Sequence, residues 1–162
     1  MSNKSRCNLL ITILVLPLMF GLASANALAA DTDAWLTNYI KVLNANMPPH
    51  NNGDAIANLF MPDGVHKEPL GEPPGGPQLG REAIRKFFAG FDQLFKTWEH
   101  VESTRTVQGT RAVWEGIVQG IHKESGKFAK IPIVFFLEFN DEGKVKETRA
   151  YLTRAMIGEQ IK

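Results

Sequence analysis

The stretch REAIRKFFAGFDQLF, residues 81–95, decides how the rest of this chain is read. Ile84, Phe87, Phe88, Phe91 and Phe95 fall at offsets 0, 3, 4, 7 and 11, which on a helix makes one unbroken apolar stripe. A stripe carrying four phenylalanines has to lie on a second layer. The residues that follow supply it. Beyond this predicted helix the apolar period drops from 3.6 to 2, and four strands are predicted at about 97–107, 111–122, 128–139 and 144–156. Gln108-Gly109-Thr110, Glu124-Ser125-Gly126 and Asn140-Asp141-Glu142-Gly143 read as hairpin turns between them, so consecutive strands pair antiparallel as a meander.

Upstream, Trp35, Leu36, Tyr39, Ile40, Val42 and Leu43 recur at helical spacing from Asp31 onward. Thr32 or Asp33 is available to cap that helix and Pro48-Pro49 to stop it. Asp54 caps a shorter helix, 55–60, ended by Pro62 and the Asp63-Gly64 turn. The run EPLGEPPGGP, 68–77, reads as an extended loop with few internal hydrogen bonds. Helices first and sheet afterwards give an α+β domain, with three N-terminal helices packed in a strongly curved antiparallel sheet of four strands.

Residues 1–30 read as an address, followed by a single domain over 31–162. Lys4 and Arg6 form a positive start, Leu9 to Leu22 an apolar run of 14 residues, and Ala27-Leu28-Ala29 a cleavage pattern of small residues. A membrane-spanning helix needs about 20 apolar residues, and Pro17 interrupts this run. The expectation is an exported protein, periplasmic or secreted, cut near Ala29 and left without a stable membrane anchor. The only cysteine, Cys7, goes with the signal, so the remaining chain has no disulfide, thiolate nucleophile or cysteine metal site. Without Lys4 and Arg6, 16 basic side chains face 17 acidic ones. That balance, with no basic run, excludes nucleic acid as the expected partner.

Several local strings, in the same order as these elements, resemble the ketosteroid isomerase and SnoaL-like polyketide cyclase group of the nuclear transport factor 2-like superfamily. They are YIKVLNA (39–45), FMPDGVHKEPLG (60–71), GREAIRKFF (80–88) and GKVKETRAYL (143–152). The resemblance implies a cone with a short extra strand, a pocket for a small hydrophobic ligand, a homodimer, and acid–base chemistry without a cofactor. It places Glu68 at the family's general-base position, followed by Pro69, and Tyr39 at the position of the tyrosine that donates a hydrogen bond to the substrate oxygen. The protonated acid that completes the family's oxyanion hole has no counterpart: its place falls on Phe135, or on Val134 if the register slips by one.

The residues themselves add candidates. Chemistry of this class needs a carboxylate in an apolar pocket and a donor facing the oxygen where negative charge develops. His66, two residues from Glu68 in an extended stretch, points to the same side, where it either tunes the Glu68 charge or is simply a solvated loop histidine, the commoner case. By strand alternation Trp98, His100, Glu102 and Thr104 share one face, and Ala112, Trp114, Gly116, Val118, Gly120 and His122 share a face of the next strand. If those faces point inward they enclose a cavity floored by glycine and walled by tryptophan, with Trp98, Trp114 or His100 as donors to a ligand oxygen; the alternative is that both tryptophans are core and the glycines ease sheet curvature. Arg105, Arg111, Arg149 and Arg154 read as solvated or rim residues. No metal site is expected, because His66, Glu68, His100 and His122 have no recognisable ligand spacing. The competing expectation is a non-catalytic module of the same fold, binding an apolar ligand or dimerising through its outer sheet face.

Overall fold

The computed structural model describes residues 28–68 and 76–162. The stretch 1–27, which holds most of the expected export signal, and the Pro/Gly stretch 69–75 lie outside it. Helix α1 spans residues 28–46 and so starts ahead of Asp31. Thr32 and Asp33 are therefore not caps. The Thr32 hydroxyl donates instead to the Gly109 carbonyl at 2.6 Å, and Asp33 accepts from Arg105 at 3.3 Å, so both tie the helix to the sheet. Leu36, Tyr39 and Leu43 form its buried stripe at offsets of three and four, continued by Met47 just past its end.

Helix α2 (Gly53–Ala57) is capped by the Asn52 side chain, which accepts from Ala55 N, rather than by Asp54. It ends before Phe60, where strand β1 (Phe60–Lys67) begins. Here the structure corrects the expected turn. Pro62 and Gly64 sit within a strand, accommodated by a register slip between Phe60 and Val65 against a later strand. Strand β2 (Pro77–Leu79) pairs antiparallel with it.

Helix α3 (Gly80–Ala89) stops at Gly90, a short helix α4 covers Phe91–Leu94, and Phe95 already opens strand β3 (Phe95–Gln108). The single helix expected through residue 95 is thus two helices and a strand start. The stripe survives the break: Ile84, Phe88, Phe91 and Phe95 are all buried. Strands β4 (Arg111–His122), β5 (Phe128–Phe139) and β6 (Val145–Tyr151) complete the antiparallel meander at the expected turns. The last of those turns packs under α1, where Gly143 has φ +73° and a Cβ would come within 2.6 Å of the Trp35 indole.

The curved, unclosed sheet has the order β2-β1-β6-β5-β4-β3, with β1 parallel to β6 and every other pair antiparallel. N-terminal helices pack on its concave face, giving the α+β architecture expected. The last strand ends at Tyr151 rather than near 156. Thr153 then caps a helix the sequence reading did not contain, α5 (Arg154–Ile161), through its hydroxyl and Met156 N. Ile157 of α5 is buried, and Gln160 reaches back to β5, where Oε1 accepts from Lys130 N at 2.6 Å and Nε2 donates to Lys130 O at 2.9 Å.

Candidate active site

One row of side chains crosses three adjacent strands on the concave face. Gln78 of β2 is the register partner of His66 of β1, and His66 is the register partner of Thr148 of β6. Residues opposite one another on neighbouring strands share a face, and all three are buried. Polar groups this deep need partners. His66 has two: Nδ1 lies 2.5 Å from Thr148 Oγ1, and Nε2 lies 3.2 Å from Glu68 Oε2. A carboxylate only accepts, so Nε2 carries the proton it shares with Glu68, and Nδ1 accepts from the Thr148 hydroxyl.

Glu68, just past the end of β1, is 6% exposed. It faces the protein and not solvent. The same-side relation of His66 and Glu68 expected from their spacing is present, and Phe87 and Phe88 pack on the imidazole with ring centroids 5.0 Å away. Both phenylalanines come from α3, so the stripe that decided the fold also walls this dyad.

Tyr39, on the buried face of α1, is 1% exposed and sits edge-on to Phe60 and Phe135 at 6.2 and 6.4 Å. Burial pushes its phenol well above the ordinary range; Thr148 acts in the lowering direction, and the Glu68 charge raises it further. The hydroxyl therefore stays protonated. Thr148 Oγ1 is a near polar neighbour and influences the phenol, but Tyr39 Oη makes no hydrogen bond of ordinary distance and angle in the protein. A buried, protonated, unpartnered phenol is a donor waiting for an acceptor.

His100 is placed on the same face but differs from its expected role. Asn44 of α1 holds it at three points: Nδ2 donates to His100 O at 2.9 Å, while Oδ1 accepts from His100 N at 2.8 Å and from Nδ1 at 3.0 Å. The two backbone bonds fix which end of the amide is oxygen, so Nδ1 carries the ring proton. Burial lowers the imidazole to about 3, which keeps the ring neutral. Its remaining nitrogen, Nε2, accepts hydrogen bonds and cannot donate them, contrary to the donor role expected of this residue.

Trp114 takes the core alternative. Its Nε1 donates to Glu102 Oε2 at 2.8 Å, and Glu102 in turn pairs with Arg105, so the indole is structural. Trp98 packs with Phe91 and Phe95 at 5.3 and 4.4 Å, as part of the core. At Gly116 the expected cavity floor is filled. A Cβ at Gly116 would lie 2.3 Å from both the Trp114 ring and the Val101 carbonyl, so close backbone and indole approach is what the glycine permits. A slip between Glu102 and Thr104 on β3 turns Thr104 away from the face of Trp98 and brings Arg105 opposite Trp114. Arg105, half-buried, bridges from there to Asp33 and Thr37 of α1.

Phe135 occupies the inward position of β5, opposite Trp114, whereas Val134 is on the other face opposite Tyr151. Its ring stands between the two halves of the interior, 6.4 Å from Tyr39 and 5.6 Å from His100. Phe136, on the outer face, lies under the Arg149 guanidinium at 5.7 Å. His122 is tied to Ser125 in its hairpin. Among the described residues, no three His, Cys, Asp or Glu side chains are grouped to hold a metal ion. The sequence reading missed Thr148, Asn44 and Gln78. Alternation along KETRAYL would have placed Thr148 inward once Ala150 was, but nothing in it points to His66.

The sequence pattern of the SnoaL-like domain matches residues 36–148, from the middle of α1 to Thr148 itself. The chain belongs to the SnoaL-like domain family. No curated protein matches it. Among solved structures, a hypothetical protein with ketosteroid isomerase-like fold from Catenulispora acidiphila, in complex with trimethylamine, is similar with TM-score 0.68 and 18% identity, covering 78% of this chain and 91% of that one. A phenazine biosynthesis-related protein from Pseudomonas aeruginosa is similar with TM-score 0.67 and 14% identity, over 85% and 84% of the two chains. SalBIII, an epoxide hydrolase/cyclase-like enzyme of pyran ring formation in polyether salinomycin, has TM-score 0.65 and 16% identity, over 78% and 93%. At these identities the likeness is one of fold, the cone that ketosteroid isomerase-like and nuclear transport factor 2-like proteins share. A common fold does not name the reaction.

Proposed function

We infer that this SnoaL-like protein is an acid–base enzyme, an isomerase or cyclase that needs no cofactor and acts on a small hydrophobic carbonyl compound, steroid-like or polyketide-like. Glu68 takes a proton from the carbon next to the carbonyl, and Tyr39 donates a hydrogen bond to the oxygen that becomes negative. Returning that proton to another carbon of the enolate restores Glu68 and completes an isomerisation. His66, anchored by Thr148, holds the carboxylate in place. The observation that carries this reading is the Tyr39 hydroxyl, buried without a partner in the same interior as Glu68. Natural proteins rarely leave such a group unpaired unless a ligand completes it.

The test is turnover of a β,γ-unsaturated 3-ketosteroid, followed by conjugated-enone absorbance. Glu68→Gln abolishes turnover while keeping ligand affinity, and Tyr39→Phe lowers it about a hundredfold. Full turnover in Glu68→Gln ends the assignment of the base; no turnover in the wild type rules out this substrate chemistry.

A second reading is favoured by Phe135. It is an apolar ring at the strand position where an oxyanion-stabilising acid would stand, and it packs on Tyr39 from the other side. On that reading the cone is a non-catalytic receptor for an apolar ligand, or a dimerising module using its outer sheet face. Mass spectrometry of ligands that co-purify with the inactive protein distinguishes it. Either way the reading includes export after cleavage near Ala29, tested by N-terminal sequencing of protein from the culture, and a homodimer, tested by sedimentation.

A further inference from the structure

Gln78 ends the row of polar side chains that crosses the concave face, and it ends it unsatisfied. It is 7% exposed, its Nε2 donates to the Gly76 carbonyl at 2.9 Å, and its Oε1 has no hydrogen-bond partner. The Gly76 bond fixes which end of the amide is oxygen, so a buried acceptor is left open. Leaving such a group bare is costly unless something from outside fills the place.

Beside it is a groove of about 530 Å³ between β2 and α3, lined by Pro77, Gln78, Phe87, Phe91 and Leu94, with Lys86 also at its wall. The Lys86 ammonium is paired with Glu82 at 3.3 Å, so the groove does not call for an anion. Its Phe87 wall is also the ring that packs on His66, with centroids 5.0 Å apart. The groove therefore abuts the His66–Glu68 dyad through one side chain. Its walls are mostly apolar, and the polar atom left open is an acceptor.

We propose that Gln78 anchors the ligand: its Oε1 accepts a hydrogen bond from the hydroxyl of a neutral, largely apolar molecule seated in the groove between β2 and α3. The proposal deepens the functional reading and rests on it only in taking this end of the cone as the ligand's. Binding is measured and not turnover, so that the two fail separately.

The experiment titrates the mature protein, followed by nitrogen–proton NMR, with 1-naphthol and with 1-methylnaphthalene, near-isosteric probes of which only the first has a donor. The wild type binds 1-naphthol about tenfold or more tightly than 1-methylnaphthalene, with shifts at the Gln78 side-chain amide and at Phe87. Gln78→Met, of similar length and without the acceptor, abolishes or reverses the preference. Should that variant fail to fold, the wild-type comparison decides alone. Equal or tighter binding of 1-methylnaphthalene, binding of neither probe, or shifts that map elsewhere would overturn the proposal. Loss of ketosteroid turnover in Glu68→Gln with this preference intact separates the base from the anchor.

Discussion

His66 and Thr148 face each other across a parallel strand pair, with the imidazole Nδ1 2.5 Å from the threonine oxygen. Glu68, which only accepts, sets the tautomer, and the Thr148 hydroxyl adapts to it and holds the ring in place, so a side chain of the last strand helps orient a carboxylate at the end of the first.

Thr148→Val keeps the shape and removes the hydroxyl. Nδ1 then loses its donor in a buried place, and the protein loses about 1–3 kcal/mol, read from urea denaturation midpoints. Nitrogen NMR of the imidazole shows the proton on Nε2 in both proteins, because Glu68 still accepts it, while the Nδ1 resonance shifts with the loss of its donor. A proton moved to Nδ1 in the variant would show that Glu68 does not set the tautomer.

Tyr39→Phe has opposite effects on stability and function. Removing an unpartnered buried hydroxyl leaves stability unchanged or raises it by about 1 kcal/mol, while ligand binding or turnover falls. A clear loss of stability in thermal denaturation would mean that the hydroxyl is paired within the protein.

His100 makes stability depend on pH. Folded, it stays neutral down to about pH 3; unfolded, it takes up a proton below about 6.5. Its contribution is full above pH 6.5 and is lost as pH falls toward 3, at about 1.4 kcal/mol per pH unit. Urea denaturation from pH 7 to 4 shows this slope as the difference between wild type and His100→Gln. Parallel pH profiles would count against the buried neutral ring.

Gly116→Ala tests how closely the strands approach. With the Val101 carbonyl and the Trp114 ring both 2.3 Å from the added carbon, β3 has to move or the indole has to leave Glu102. The expected cost is about 1–3 kcal/mol, with a shifted tryptophan emission spectrum. A neutral substitution would mean that open space lies over the glycine after all.

The meander was legible because its alternation is regular and each turn carries glycine; the breaks in regularity were not. β1 is disguised by Pro62 and Gly64, since its parallel partner lies some 80 residues later and a bulge absorbs the mismatch. The α3–α4 break was hidden by a stripe that continues straight through Gly90. Glu68, Tyr39 and His66 were singled out through the family resemblance and a two-residue spacing. Their partners were not, because a threonine in a strand or an asparagine in a helix is ordinary until the fold brings it beside a histidine. Likewise the ring proton of His100 follows from Asn44, 56 residues earlier, and no local pattern encodes it.

Because β6 stops at Tyr151, opposite Val134, the first residues of β5 run on without a neighbour on that side. Gln160 meets the backbone of Lys130 there with both halves of its amide, imitating one residue of a seventh strand. An intruding chain that sought to extend the sheet at this point would first have to peel α5 away. The C-terminal helix thus covers a strand edge of the kind that invites fibre-like self-assembly, and cutting the chain after Thr153 would bare it.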